Sequence, residues 1–224
     1  MLMEPVGAGG GQAMSDDLIL YYNPMSRARI VHWMLEEVGA PYRLELLRFD
    51  QGENKKPGFL ALNPMGKLPT LVHRNVVVTE SAAICTYLAD AFPAAKLAPA
   101  NDEPARGTYL RWMFFGAGCV EPATLDRMFS RPPAERTAAV GYGTYAQTIA
   151  ALEGAVTPGP YILGDRFTAA DVYIGSQIRF GLMMKSIDPS AVFEAYLARL
   201  AARPAYRRAD SQAETLLAQM KTGA

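Results

Sequence analysis

Ser26 stands two residues past Pro24, after the apolar run Leu18-Ile19-Leu20-Tyr21-Tyr22 and before Ile30, Val31, Met34, Leu35 and Val38, which recur at helical spacing. Its hydroxyl is therefore expected at the first turn of a helix that follows a strand. A hydroxyl there can donate a hydrogen bond to an anion while the positive end of the helix dipole adds favourable potential. Capping the helix is its plain alternative role. Glu80-Ser81 carries the same ambiguity. The pair follows the β-rich Val76–Thr79 and precedes Ala82, Ile84, Leu88 and Phe92, again at helical spacing. Free amides at such a helix start favour a bound anion. Thr79 or Ser81 can equally serve as a cap, with Glu80 beside the dipole. Cys85 and Cys119 form neither a CxxC pair nor a metal-ligand spacing, so no metal site and no dithiol centre is expected. Both lie in apolar helical contexts, where a free cysteine behaves as a small buried hydrophobe.

The elements that must position these residues follow from periodicity and turn signals. The run at 18–22, closed by Asn23-Pro24, reads as a strand buried on both faces, and the helix after it stops at Gly39 and Pro41. Tyr42 to Leu47 is a second strand, most economically parallel to the first. A stretch from Gln51 to Pro57 with a weak helical turn at Phe59 to Leu62 leads to Asn63-Pro64-Met65-Gly66-Lys67-Leu68-Pro69. Thr70–His73 and Val76–Thr79, separated by Arg74-Asn75, form a hairpin. The order is βαβ, then ββα, a mixed four-stranded sheet over residues 18–93. Residues 94–104, rich in Ala, Pro and Asp, read as a linker. From there to residue 224 every periodic segment is helical: 109–128, 134–156, 169–184, 190–202 and 210–220. The second domain, 105–224, is thus all α. Gly164 to Val172 marks one helix start, with Thr168 and Asp171 placed for a reciprocal cap and Phe167 for a staple onto Val172.

The 224 residues balance 22 Lys plus Arg against 22 Asp plus Glu with 50% hydrophobic residues, the composition of a folded globular protein. Zero formal charge argues against duplex DNA or an anionic membrane surface, which need uncompensated cations. No apolar run is long enough to span a bilayer. Residues 1–17, Gly-rich and net acidic, lack the basic start and apolar middle of a secretory signal and read as a flexible, dispensable leader. Two unpaired cysteines fit a reducing, cytoplasmic setting.

Taken in order, Tyr22-Asn23-Pro24-Met25-Ser26-Arg27, Asn63 to Pro69, Glu80-Ser81-Ala82-Ala83-Ile84 and the Gly164–Asp171 cap resemble the cytosolic glutathione S-transferases, nearest to a bacterial, serine-type branch. The resemblance covers nearly the whole chain after residue 17. It implies a thioredoxin-like N-terminal domain with an all-helical C-terminal domain, glutathione as co-substrate, a homodimer, and a detoxifying transferase. It further implies that Leu68-Pro69, with Pro69 in cis, presents the Leu68 amide and carbonyl as a sheet edge to the ligand's backbone. Ser81 would hold the γ-glutamyl carboxylate, Glu80 would face its ammonium group, and Lys67 would meet the glycyl carboxylate. Lys55 and Lys56 beside Glu53 read as a solvated surface.

In a serine-type member Ser26 would stabilise the glutathione thiolate, since a free thiol of pKa ~8.5 is mostly protonated at neutral pH. Tyr22 within the apolar run is the rival and is better suited to packing; Asn23 offers an amide donor. A cysteine-type mechanism would want a Cys where the chain has Ser26 and Arg27. Tyr109, Trp112, Met113, Phe115 and Gly116 are candidates for an apolar second-substrate pocket, although such a stripe also suits a domain core or a dimer face. The functional expectation is attack of the thiolate on hydrophobic electrophiles. Isomerase, dehalogenase and peroxidase activities share the same thiolate, and a transferase-like fold serving as an interaction module is an alternative of another class.

Overall fold

Strand β1 (Leu18–Tyr22) is central because its sequence has hydrogen-bonding partners on both sides. It pairs in parallel with β2 (Arg43–Leu46) and antiparallel with β3 (Thr70–His73), which pairs antiparallel with β4 (Val76–Thr79), giving the order β2-β1-β3-β4. The computed structural model describes residues 18–222, so the expected leader lies outside the described residues. Leu18, Leu20 and Tyr22 are fully buried, whereas Ile19 and Tyr21 are half-buried. The expectation of equal burial on both faces is thus corrected. Helices α1 (Ala28–Val38) and α3 (Ser81–Ala91) join β1 in the main core, while Tyr21 on the other face meets Phe59 of the short α2 (Pro57–Leu62), ring to ring at 5.4 Å.

The helical half begins with α4 (Ala105–Phe115), which runs through one π-helical turn, Gly116–Val120, into α5 (Glu121–Met128). A single helix from Tyr109 was expected. Pro122 has no amide for the carbonyl four residues back, so the ladder shifts register there. The next helix, α6 (Tyr145–Ala155), begins eleven residues later than expected at Ala134. Gly143 sits at φ +65, and Thr144 accepts from the Gln147 amide to start the helix afresh. After α7 (Ala169–Met183) and α8 (Ala191–Ala201), the last helix α9 runs from Pro204 to Thr222 and so starts six residues earlier than periodicity suggested. Pro204 occupies its first turn, where a missing amide costs nothing.

One buried network orders the helical half, and further contacts join it to the sheet half. Asp171 is buried but accepts from the amides of Thr168 (2.9 Å) and Ile162 (2.9 Å) and from the Tyr196 hydroxyl (2.9 Å), which answers its desolvation. The expected cap is therefore present, with Thr168 Oγ1 accepting from Ala170 at 3.3 Å, and Phe167 packs on Trp33 and Tyr161. Helix α9 lies on α1: Arg203 grips Glu37 at 2.7 Å through two nitrogens, Arg208 pairs with Glu36 at 2.6 Å, and Trp33 meets Tyr206 edge-on at 5.0 Å. The segment 94–104 is tied down as well. The Leu97 carbonyl accepts from the Ala169 amide at 2.7 Å and that of Ala98 from Arg166 at 2.6 Å.

His32 is buried in the seam between α1 and α9. Its Nε2 lies 2.8 Å from Gln212 Oε1 and 2.9 Å from the Tyr42 oxygen, whose own proton goes to Glu36. Both neighbours accept, so Nε2 carries the proton; a second proton would go on Nδ1, which is buried without a partner. Burial accordingly depresses the His32 pKa, against smaller opposing contributions from Gln212 and Glu36. The unfolded chain binds the extra proton more readily, so stability should fall as pH drops below ~6.5, by about 1.4 kcal/mol per unit of depression. Urea unfolding between about pH 7.5 and about pH 5.5 measures this, and His32→Gln should flatten the profile across that window.

Candidate active site

The register of the sheet brings three separate turns together. Thr70 faces Tyr21 on one side and Thr79 on the other. One step further along each strand therefore sets Leu68-Pro69 between the Tyr22-Asn23 exit of β1 and the Glu80-Ser81 exit of β4. The Leu68–Pro69 peptide bond is cis. Glu80 is exposed and held at φ +67, ψ 120, a region that a residue with a Cβ enters at a cost on the order of 1 kcal/mol. Ser81 is buried at the first position of α3.

Ser26 lies just before α1. Its Oγ donates to the Asn23 carbonyl at 2.7 Å and accepts from the Ala28 amide at 3.1 Å, so the capping role is realised. Asn23 is buried, with one side-chain N–H donating to the Leu47 carbonyl at 2.7 Å and its side-chain oxygen accepting from the Met25 amide at 2.9 Å. These two bonds hold the turn. Tyr22 is buried with a hydroxyl that lacks a partner, and burial pushes its pKa up to about 12. It packs edge-on to His32 at 5.1 Å and is a core residue.

A cavity of about 1060 Å³ opens at this end of the sheet, between the two halves of the molecule. Ser26, Arg27, Lys55, Lys67 and Leu68 line its sheet side, and Trp33 of α1, Phe180 and Met183 of α7, and Tyr206 and Leu217 of α9 line its apolar side. Lys55 is the residue that sequence reasoning set aside. Both lysines are exposed, but the 3-10 turn Glu53–Lys55 sets them apart: Lys55 lines the cavity with its Nζ 3.5 Å from the Met65 carbonyl, while Lys56 pairs with Glu53 at 3.2 Å. Asn54 ties this turn to the Gly66 carbonyl at 2.8 Å. Gly66 itself has φ +61, and a Cβ there would sit 2.8 Å from the Asn54 carbonyl oxygen.

The residues expected in a second-substrate pocket lie elsewhere. Tyr109, Trp112 and Met113 are buried in the core, Phe115 packs against Trp112 at 5.3 Å, and Gly116 faces the Tyr173 ring. None of them lines the cavity. The apolar wall is built instead by α7 and α9, a placement that depends on how the helices fold back and leaves no local signal. Among the described residues no cluster of His, Cys, Asp and Glu could hold a metal ion. Cys85 is fully buried, and burial raises its thiol pKa far above the ordinary range. Cys119 is half-buried with its thiol 3.4 Å from the Gly141 carbonyl.

A mixed four-stranded sheet with a cis-proline at the start of an inner strand, facing a helical domain across a cleft, is the architecture of the thiol-tripeptide transferases. Residues 16–90 match the N-terminal domain of glutathione S-transferases. The chain is 31% identical over 207 residues to maleylacetoacetate isomerase of Pseudomonas aeruginosa, covering 86% of this chain and 94% of that one. It superposes on a glutathione transferase from Methylococcus capsulatus with TM-score 0.73 and 28% identity, over 88% of this chain and 99% of the other. A glutathione transferase from Burkholderia graminis, with two glutathione molecules bound per subunit, gives TM-score 0.71 and 28% identity over 88% and 89%. The chain belongs to the glutathione S-transferase family, with a thioredoxin-like first half and a helical second half.

The thiols give a direct check on this packing. A native chain treated with an aromatic disulfide reagent should release one equivalent, from Cys119, and a second only on unfolding. Two fast equivalents would show that α3 is not packed as described.

Proposed function

We propose that the chain binds glutathione at the sheet end of the cavity, ionises its thiol and transfers it to hydrophobic electrophiles. The observation that carries this is the convergence of Ser26, Lys67 and Leu68 on one cavity wall, with Glu80-Ser81 at the adjoining strand end. Leu68 offers its amide and carbonyl to the peptide-like middle of the ligand. Ser81 at the start of α3 receives the γ-glutamyl carboxylate, helped by the free amides of that turn, and Glu80 receives the ammonium group. Lys67, joined by Lys55, faces the glycyl carboxylate.

Ser26 is the catalytic residue on this reading. Its proton rotates from the Asn23 carbonyl to the sulfur, and the dipole of α1 adds to the effect. The thiolate then forms a bond to the electrophilic carbon, and the leaving group or the electron pair of a double bond takes the displaced charge. A homodimer and a cytoplasmic setting belong to the same proposal. The exposure of Phe114, at 73%, supports the first; no described helix is long and apolar enough to cross a membrane.

The similarity to maleylacetoacetate isomerase over nearly that protein's whole length favours a second reading. The same thiolate would add to a double bond and leave again after rotation, returning glutathione unchanged. Glutathione consumption against a panel of electrophiles, hydroperoxides, quinones and cis-enones separates the two.

Ser26→Ala should leave glutathione affinity within about twofold, move the bound thiol's pKa up towards ~8.5 and slow conjugation by about 10- to 100-fold at neutral pH. Thiolate absorbance of the binary complex against pH measures the shift. An unchanged pKa and rate would remove Ser26 from the mechanism.

A further inference from the structure

The cavity wall carries five cations, Arg27, Arg29, Lys55, Lys67 and Arg179, against two anions, Asp210 and Glu214. Lys55 and Lys67 are assigned above to the glycyl carboxylate, which leaves Arg27, Arg29 and Arg179 facing Asp210 and Glu214. Arg29 is saturated: it holds Asp210 at 2.7 Å and Glu214 at 3.0 Å, with both terminal nitrogens occupied. Arg179 has only the outer reach of Asp210, one contact at 3.2 Å to an oxygen that Arg29 already holds. Its side chain is 49% exposed, so most of its donor fork is open to the cavity. Arg27, at the other side of Phe180, pairs with Glu121 through one nitrogen at 2.9 Å and lies 5.5 Å from the Phe180 ring centroid. The two guanidiniums thus flank an aromatic wall made by Phe180 and Tyr206, the latter 5.6 Å from Arg179. Gln177, two residues before Arg179 on α7, also lines the cavity; it is only 4% exposed, and its side-chain nitrogen makes no well-formed hydrogen bond, although the Tyr173 hydroxyl lies near it. A buried donor without an acceptor is costly until something supplies one.

We propose that this side of the cavity receives a carboxylate: the acceptor is an anionic electrophile with a flat apolar body, its carboxylate on Arg179 with Arg27 and Gln177 as further donors. This rests on the glutathione reading above and narrows the second substrate from hydrophobic to acid-bearing. The planar fork of Arg179 matches a carboxylate through two parallel hydrogen bonds, which a lysine cannot reproduce. Phe180 and Tyr206 take the apolar body beside it, and Ser26 and the sulfur lie on the opposite wall. In the reaction with an acid-bearing aryl halide such as 4-chloro-3-nitrobenzoate, the sulfur–carbon bond forms, the carbon–chlorine bond breaks, chloride leaves and the thiol proton passes to solvent.

The test needs no turnover. Glutathione, S-(4-carboxy-2-nitrophenyl)glutathione and the aryl methyl ester of that conjugate are titrated calorimetrically into the full chain. The acid should bind at least about tenfold tighter than the ester, the worth of one charge-assisted contact. Arg179→Gln should bring acid and ester within about twofold of each other with glutathione affinity unchanged, and Arg179→Lys should recover part of the preference. Because the Arg179–Asp210 pair is largely exposed, the variant should fold as the parent does, which its urea midpoint verifies. Equal binding of acid and ester to the parent, or an equal loss for both in Arg179→Gln, overturns the proposal while glutathione binding stands. Failure of glutathione itself to bind overturns the reading beneath it.

Discussion

The candidate site depends on one constraint, the register of β1, β3 and β4. Three turns far apart in sequence meet only because Thr70 sits opposite both Tyr21 and Thr79. The two-residue connection Arg74-Asn75 sets that register, with φ +50 and +63, the left-handed pair a tight hairpin of this twist requires. A slip of one residue would turn Leu71 out of the core and move Glu80-Ser81 away from Leu68-Pro69. Leu71, fully buried, resists that slip by its own apolar surface. The geometry of binding is thus underwritten by hydrophobic burial on the other face of the same strands.

Helix α1 carries the second half of the arrangement. The turn leading into it presents Ser26 and Arg27 to the cavity, and the helix itself fastens α9 and the residue before it through Arg29, Trp33, Glu36 and Glu37. The wall that α9 contributes therefore cannot shift without loading the helix that positions Ser26. On the far side, α7 is set by the buried Asp171 network, where one carboxylate satisfies two amides and a hydroxyl. Removing any partner would leave a buried charge short of hydrogen bonds, a loss of several kcal/mol. That rigidity fixes the height of Gln177, Arg179 and Phe180 in the cavity two turns further along.

Local signals made the sheet half legible. The apolar run before Asn23-Pro24, the hairpin and the Leu68-Pro69 and Glu80-Ser81 pairs each declare themselves within a few residues. The Thr168–Asp171 cap was legible for the same reason. The late start of α6 was not, because Ala134 to Val140 has helical composition and only the Gly143 turn and the Thr144–Gln147 cap break it. Burial and lining were least accessible. Tyr109, Trp112 and Met113 have the spacing of a pocket wall and of a core stripe alike, and only the fold-back of α7 over α4 decides for the core. The adjacent Lys55 and Lys56 differ solely in which way a 3-10 turn points them.

The cap at Ser26 and the proposed catalysis there draw on the same bonds. An oxygen that accepts from the Ala28 amide is a better donor through its own proton, because hydrogen bonds in a chain polarise one another. That proton otherwise rests on the neutral Asn23 carbonyl, whose position Asn23 locks through Leu47 and Met25. A neutral thiol is too weak an acceptor to win it away, whereas a thiolate forms a charge-assisted bond roughly twice as strong as the neutral one. On the proposed reading the hydroxyl therefore turns to the sulfur only after the sulfur is ionised. The cap would hold the proton in reserve against the thiol and yield it to the thiolate, and that difference between the two states would lower the pKa of the bound tripeptide.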